Sequence, residues 1–282
     1  MPVAVVTDST AYLPAELDHA RGLTVVPLTV VINGIEGREG HEVTPVETAR
    51  ALAARRVTVS TSRPAPERFT QVYRELLDGG AAGVVSVHLS ARLSGTVESA
   101  ALAAAGFGGR VAVVDARSTG MGLGFPALAA LAAAARGADL EDVRRAALNT
   151  VERTSTLFYV DTLEFLRRGG RITTASALLG TALSVKPIMG LVDGAIVLRD
   201  KVRTASRGLA RLAELAVEAA GERDVDVAVH HLASAERATR LTEALTGRLG
   251  DRLHHTYLTE IGAVVAAHVG PGLLCVVVHR RP

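Results

Sequence analysis

Two short stretches set hydroxyls where a strand gives way to a helix. The first is V-S-T-S-R-P-A-P-E, residues 59–67, and the second is L-S-A-R-L-S-G-T-V-E, residues 89–98. Each stands between a β-branched apolar run and a helical pattern, so Thr61 and Ser62 in one, and Ser94 and Thr96 in the other, are expected at helix N-termini. A helix start leaves backbone N–H groups unpaired and carries a partial positive charge. Hydroxyls there either cap the helix or join those N–H groups in binding an anion. Gly95 beside Ser94 permits close approach of a backbone or ligand. A nucleophilic serine, a phosphate cradle and a carboxylate clamp are the three chemistries this pattern can serve.

The rest of the chain separates them. A phosphate-binding loop of the G-x-x-x-x-G-K-[ST] kind is absent. G-M-G-L-G, residues 120–124, is followed by Phe125 and so departs from the dinucleotide fingerprint. Its glycines are better read as tight strand–helix packing. The sharper alternative is a serine esterase or thioesterase using Ser94, His268 and an early Asp. A nucleophile elbow needs G-x-S-x-G, and Arg92 and Thr96 stand where its glycines belong. His230–His231 and His254–His255 are neighbours on expected strands and point to opposite faces, so neither pair chelates a metal alone. His268, in the apolar run closed by G-P-G, is either a hydrogen-bonded core residue or a donor beside an anion, where it could be held protonated. Arg167, Arg168 and Arg171 surround Gly169 and Gly170, a shaped turn able to meet a phosphate or an acidic partner surface. Cys275, the single cysteine, lies in L-L-C-V-V-V and reads as a small core residue.

These residues must be carried by a scaffold, and the first half supplies a regular one. Strand and helix patterns alternate through residue 150, which argues for βαβ units and a mostly parallel sheet. Ligands of such sheets sit at the carboxyl ends of the strands, so the turns beginning at Thr7, Thr61, Ser90 and Ser118 are expected along one edge. Thr44, Pro45 and Glu47 form a capping box with Pro at the first helical position. L-P-A-E-L, residues 13–17, opens a short helix, and Pro27 in L-T-V-V-P-L-T-V-V-I implies an edge or kink. The second half has shorter apolar runs, a V-D-G hairpin turn at 192–194, and helices near 204–220 and 234–249. The fold class is therefore α/β, with a Rossmann-like parallel-sheet domain over 1–155 and a more antiparallel α+β domain over 156–282.

Composition narrows the partners. Of 282 residues, 48% are hydrophobic and only 3% aromatic, so the core must be aliphatic. Net charge is +2 with Arg dispersed, which gives neither the clustered basic face nor the stacking aromatics of a nucleic-acid binder. No run reaches the ~18 apolar residues of a membrane span. The N-terminus reads as a first strand, not a signal peptide, and one cysteine fits a reducing cytoplasm.

Read in order, V-T-D-S-T-A-Y-L-P (6–14), V-S-T-S-R-P-A-P-E-R-F (59–69), V-H-L-S-A-R-L-S-G-T (87–96), V-V-D-A-R-S-T-G-M-G-L-G (113–124), L-E-F-L-R-R-G-G-R-I (163–172), K-P-I-M-G-L-V-D-G (186–194), K-V-R-T-A-S-R-G-L (201–209) and G-A-V-V-A-A-H-V-G-P-G (262–272) resemble, over the whole length, the DegV family of bacterial fatty-acid-binding proteins. The resemblance implies a long-chain fatty acid held between two domains. Its carboxylate would be bound by Thr61 and Ser94, with Ser62 and Gly95 beside them and a hydrogen bond from His268. It implies no catalytic residue, metal or cofactor in this chain. It implies instead a cytoplasmic carrier that presents the acid to a separate fatty acid kinase, which makes an acyl phosphate for phospholipid synthesis. Arg171 and Arg203 are the expected kinase contacts. Two departures stand near the head group: Arg63 where the family commonly has Gln, and Arg92 where it commonly has Gly.

Overall fold

The computed structural model describes residues 2–14, 17, 22–54, 57–172 and 185–282. In chain order, β1 (Ala4–Asp8) and β2 (Leu23–Val26) are followed by β3 (Thr29–Ile32), β4 (Ile35–Arg38), α1 (Pro45–Ala53), β5 (Val59–Ser62) and α2 (Pro66–Asp78). Then come β6 (Val84–His88), α3 (Thr96–Ala104), β7 (Val111–Asp115), α4 (Met121–Ala135) and α5 (Leu140–Glu152). The remainder is β8 (Thr154–Tyr159), α6 (Glu164–Arg168), β9 (Lys186–Val192), β10 (Ala195–Val202), α7 (Ala205–Ala220), β11 (Val225–His231), α8 (Ala235–Leu249), β12 (Leu253–Glu260), α9 (Ala263–Val269) and β13 (Leu274–Arg280). Of the short helix expected at 13–17, only residues 13, 14 and 17 are among those described.

The parallel sheet runs β2-β1-β6-β7 and every pairing in it is parallel. Helices cover both of its faces, so its strands are nearly continuous apolar runs. Val5, Val85 and Val87 face α4 and α5, while Val6 and Val84 face α2 and α3. That alternation is the two-residue period of a strand. A six-stranded sheet follows, ordered β10-β9-β8-β13-β11-β12 and antiparallel except for β11 with β12. Leu157, Tyr159, Val276 and Val278 turn one face to α7 and α8. Phe158, Cys275 and Val277 turn the other toward α4 and α9. Mixed α/β architecture with these two sheets is what the sequence implies.

One expectation fails in an instructive way. β5 belongs to a separate antiparallel sheet, β4-β3-β5. Pro27 has no N–H for a ladder, so β2 ends before it and the chain restarts as β3 in this second sheet. An Asn33–Gly34 turn, both residues at positive φ, reverses β3 into β4. Thr61 therefore does not share an edge with the turns after β1, β6 and β7. It also lies inside β5, with α2 starting only at Pro66, so Thr61 and Ser62 do not stand at a helix N-terminus. The capping box at Thr44 and Glu47 forms as expected. So does the Asp193–Gly194 hairpin between β9 and β10, whose tip docks on the turn after β6 through Ser90 Oγ donating to Gly194 O at 2.8 Å.

Candidate functional site

The small sheet, the turn after β6 and α9 converge on one cavity of about 100 Å³. A single water needs roughly 10–15 Å³, and protein interiors seldom leave several times that unfilled. Leu28, Leu89, Phe158, Leu191, Ile196 and Leu273 make most of its wall apolar. An apolar void of this size favours an apolar occupant over water. Its polar side chains include Thr61, Ser62, Arg63, Ser94, Arg171 and His268, with Tyr12, Thr119, Thr156 and His230 elsewhere in the lining.

Thr61, opposite Val30 in the β3–β5 register, is brought against α9 across 207 residues of chain. Its Oγ1 lies 2.8 Å from His268 Nε2. On α9, Val264, Val265, His268 and Val269 share the cavity face, the spacing of one side of a helix. Burial, reinforced by the nearby Arg171 charge, lowers the His268 pKa to about 4. The ring is thus neutral at physiological pH in the ligand-free protein. Its Nδ1 is buried with no partner among the described residues. Gly169 makes room for this ring, since a Cβ there would lie 2.5 Å from Nδ1. Gly170, at φ 69°, supplies the left-handed turn that follows.

Ser94 Oγ is 2.9 Å from Thr96 Oγ1, and Gly95 occupies the N-cap of α3, where no side chain caps the helix. The Arg63 guanidinium lies against Gly95, where a Cβ would displace it. Arg63 Nη1 donates to Glu98 Oε2 at 2.5 Å and to Gly95 O at 3.4 Å, placing this half-exposed cation on the rim. Ser62 is exposed at the same rim. Arg92 is exposed and does not line the cavity.

Arg171, expected on a partner surface, instead lines the cavity. Its Nε donates to Leu93 O at 3.1 Å and its Nη1 to Gly169 O, tying the R-G-G turn to the S-G-T turn. Burial lowers its pKa from the usual guanidinium value. No carboxylate pairs with it among the described residues. A half-buried, uncompensated cation beside hydroxyls is suited to an anion. Arg203 stands apart, exposed at the start of α7.

The hydrolase arrangement is not assembled. Ser94 is bonded to Thr96, His268 to Thr61, and among the described residues no carboxylate orients His268. A serine–histidine–aspartate chain does exist elsewhere. Ser86 Oγ lies 2.7 Å from His88 Nε2, and His88 Nδ1 lies 3.0 Å from Asp8 Oδ2. All three are fully buried and none lines this cavity, and their hydrogen bonds tie β1 to β6. His230 also lines the cavity, but Met121 N–H donates to its Nε2 at 2.9 Å and its Nδ1 meets Thr259 Oγ1 at 2.6 Å. Its Nδ1 must carry the proton, and burial lowers its pKa to about 4. Cys275 is in the cavity wall, its thiol pushed up to about 12 by burial, hence unreactive. Among the described residues there is no cluster of three or more metal-ligating side chains, and no helix is long and apolar enough to cross a membrane.

Two wall-supporting residues have no signal in the sequence. Tyr12 lies in the cavity wall at φ 45°, and Glu39, 4% exposed, holds the start of α9. Burial raises the pKa of each, and each is raised further by acidic charge nearby, Tyr12 chiefly by Glu39 and Glu39 by Asp8.

Comparison with known proteins gives the family and the fold. The family model described as "Uncharacterised protein, DegV family" matches residues 2–281. This chain belongs to the DegV family. A DegV domain-containing protein of Streptomyces coelicolor is 50% identical over 279 residues, covering 99% of each chain. Among solved structures, a fatty-acid-binding DegV family protein from Thermus thermophilus superposes with a TM-score of 0.93 at 35% identity, covering 100% of both chains. DegV from Bacillus subtilis, described as a fatty acid binding protein, gives 0.89 at 31% identity, again covering 100% of both. The DegV fold, with its parallel and mixed sheets, is thus shared along the whole chain.

Proposed function

We propose that this chain binds a long-chain fatty acid in the cavity and acts as its carrier, without turnover of its own. The observation that carries this reading is the uncompensated Arg171 beside the Thr61–His268 pair in a mostly apolar cavity. The carboxylate lies beside that pair, accepting from Thr61, Ser94 and the backbone about Ser62 and Gly95, with the one Nε2–H of neutral His268 shared between Thr61 Oγ1 and the carboxylate, and Arg171 as counter-charge. The acyl chain runs along the aliphatic wall, between a domain of residues 1–155 and one of 156–282. Burying each CH₂ contributes about 0.8 kcal/mol, so a ~16-carbon chain gives on the order of 12 kcal/mol before ordering costs. Fatty-acid binding in the Thermus and Bacillus relatives supports the same ligand class here. The carrier's partner is a separate fatty acid kinase that phosphorylates the presented carboxylate, and exposed Arg203 is available to meet it. Arg171, being committed to the cavity, serves the head group.

Lipid extraction and native mass spectrometry of protein made in bacteria test this. A co-purified long-chain fatty acid is expected. Protein that is empty as purified and takes up no oleate on titration overturns the reading.

A further inference from the structure

α9 has seven residues, and its N-cap, Gly262, has no side chain to satisfy the first helical amides. No residue with a Cβ fits at 262, because Glu39 Oε1 and the Tyr12 ring occupy that space. Those two residues supply the missing acceptors. Val264 N–H donates to Glu39 Oε1 at 2.7 Å, and Val265 N–H donates to the Tyr12 hydroxyl at 3.1 Å. Tyr12 OH in turn donates to Glu39 Oε1 at 3.0 Å, and Ser9 Oγ donates to Oε2 at 2.5 Å. Glu39 pairs with no Lys or Arg among the described residues, so its buried carboxylate is satisfied by the helix start and two hydroxyls. Tyr12 reaches this place through a positive φ, a conformation that non-glycine residues adopt only when their surroundings demand it.

We propose that Glu39 and Tyr12 are positioning residues that fix α9 at its N-terminal end and so hold His268 against Thr61. The inference rests on the reading of His268 as a head-group ligand. Val264 and His268 are one turn apart on the same face, about 6 Å along the axis. Glu39 follows β4, and β4 and β5 are both ladder partners of β3. One three-stranded sheet therefore grips α9 twice, through Glu39 at its start and through Thr61 at its penultimate residue. Two attachments set both the rotation and the slide of a short helix. Releasing the first lets the imidazole leave the position that the ligand requires, and ligand sites tolerate only about 0.5 Å of such error.

The test is a double-variant cycle with oleate as probe, alongside hydrogen exchange on ligand-free protein. Glu39→Ala is expected to lose roughly tenfold in oleate affinity, the scale of one charge-assisted hydrogen bond, and no more than His268→Ala loses. In the His268→Ala background, Glu39→Ala is expected to cost nothing further, and with His268 present Glu39→Gln, which keeps an oxygen acceptor, is expected to retain most of the affinity that Glu39→Ala loses. Amides of residues 264–266 should exchange faster in Glu39→Ala and in Tyr12→Phe, while those of β6 do not. A further tenfold loss in the His268→Ala background, or unchanged exchange at 264–266, overturns the proposal. Should Glu39→Ala not fold, Tyr12→Phe runs the same cycle. Wild-type protein that binds no oleate would overturn the proposed function itself, and the exchange measurement then decides the positioning role alone.

Discussion

Replacing Thr61 by Val keeps the shape of the side chain and deletes one oxygen. That oxygen is 2.8 Å from His268 Nε2, and the other ring nitrogen already has no partner among the described residues. The variant therefore leaves a buried neutral imidazole with neither nitrogen bonded to protein. An unmet buried polar group costs about 1–3 kcal/mol, so ligand-free protein should lose stability on that scale. Binding loses a hydroxyl donor to a carboxylate, worth about 1.5–3 kcal/mol, which is roughly 10- to 150-fold in affinity. The assay is isothermal titration with oleate at pH 7.5, with Ser60→Ala as control, since Ser60 neighbours Thr61 on β5 but lies outside the cavity. Ser60→Ala should bind as wild type. Thr61→Val binding within twofold of wild type would refute the placement of the carboxylate.

Stability should fall in mild acid. His268 and His230 each have a pKa lowered to about 4 by burial, so between pH 6.5 and 4 the unfolded chain takes up protons that the folded chain refuses. The stabilisation is complete above about pH 6.5 and is lost progressively toward pH 4, on the order of 7 kcal/mol for the pair. Glu39, with a raised pKa, opposes this weakly over the lower part of that range. Urea midpoints equal at pH 7.5 and pH 5 would contradict it. Gly169→Ala should weaken oleate binding at least tenfold, because its Cβ would press on His268 Nδ1. Gly247→Ala, in open space inside α8, should instead stabilise by about 0.5–1 kcal/mol. Chemical denaturation and oleate titration of the two variants check the contrast.

Features set by neighbours in the chain were legible in the sequence. The capping box at Thr44, the Asp193–Gly194 turn and the helices begun at Ala205 and Ala235 are short-range patterns, and each forms where it was expected. Which sheet a strand joins is not short-range. V-S-T-S has the same residues whether it pairs with β6 or with β3, and the decision falls at Pro27, some thirty residues earlier. The Thr61–His268 contact is likewise invisible to periodicity, and only the family resemblance brought the two together. In the sequence Arg171 belongs to an Arg-Gly turn suited to a phosphate or an acidic partner surface. Gly169 and Gly170 let that segment turn inward, so the outer arginines stay in solvent while the third enters the cavity. Glu39 carried no signal because a buried carboxylate without a cation runs against composition rules. Its partners are two hydroxyls and one amide at the start of a helix more than two hundred residues away.

The central claim is that a carboxylate sits ionised between Thr61, Ser94, His268 and Arg171. Carbon-13 NMR of bound [1-¹³C]oleate, followed as pH is lowered, tests it most directly. A guanidinium and several donors favour the charged form. The bound carboxyl should therefore remain ionised below the usual carboxylic range near pH 4, and Arg171→Met should move its titration upward. A carboxyl carbon that titrates like one in water, and is indifferent to Arg171→Met, would contradict it.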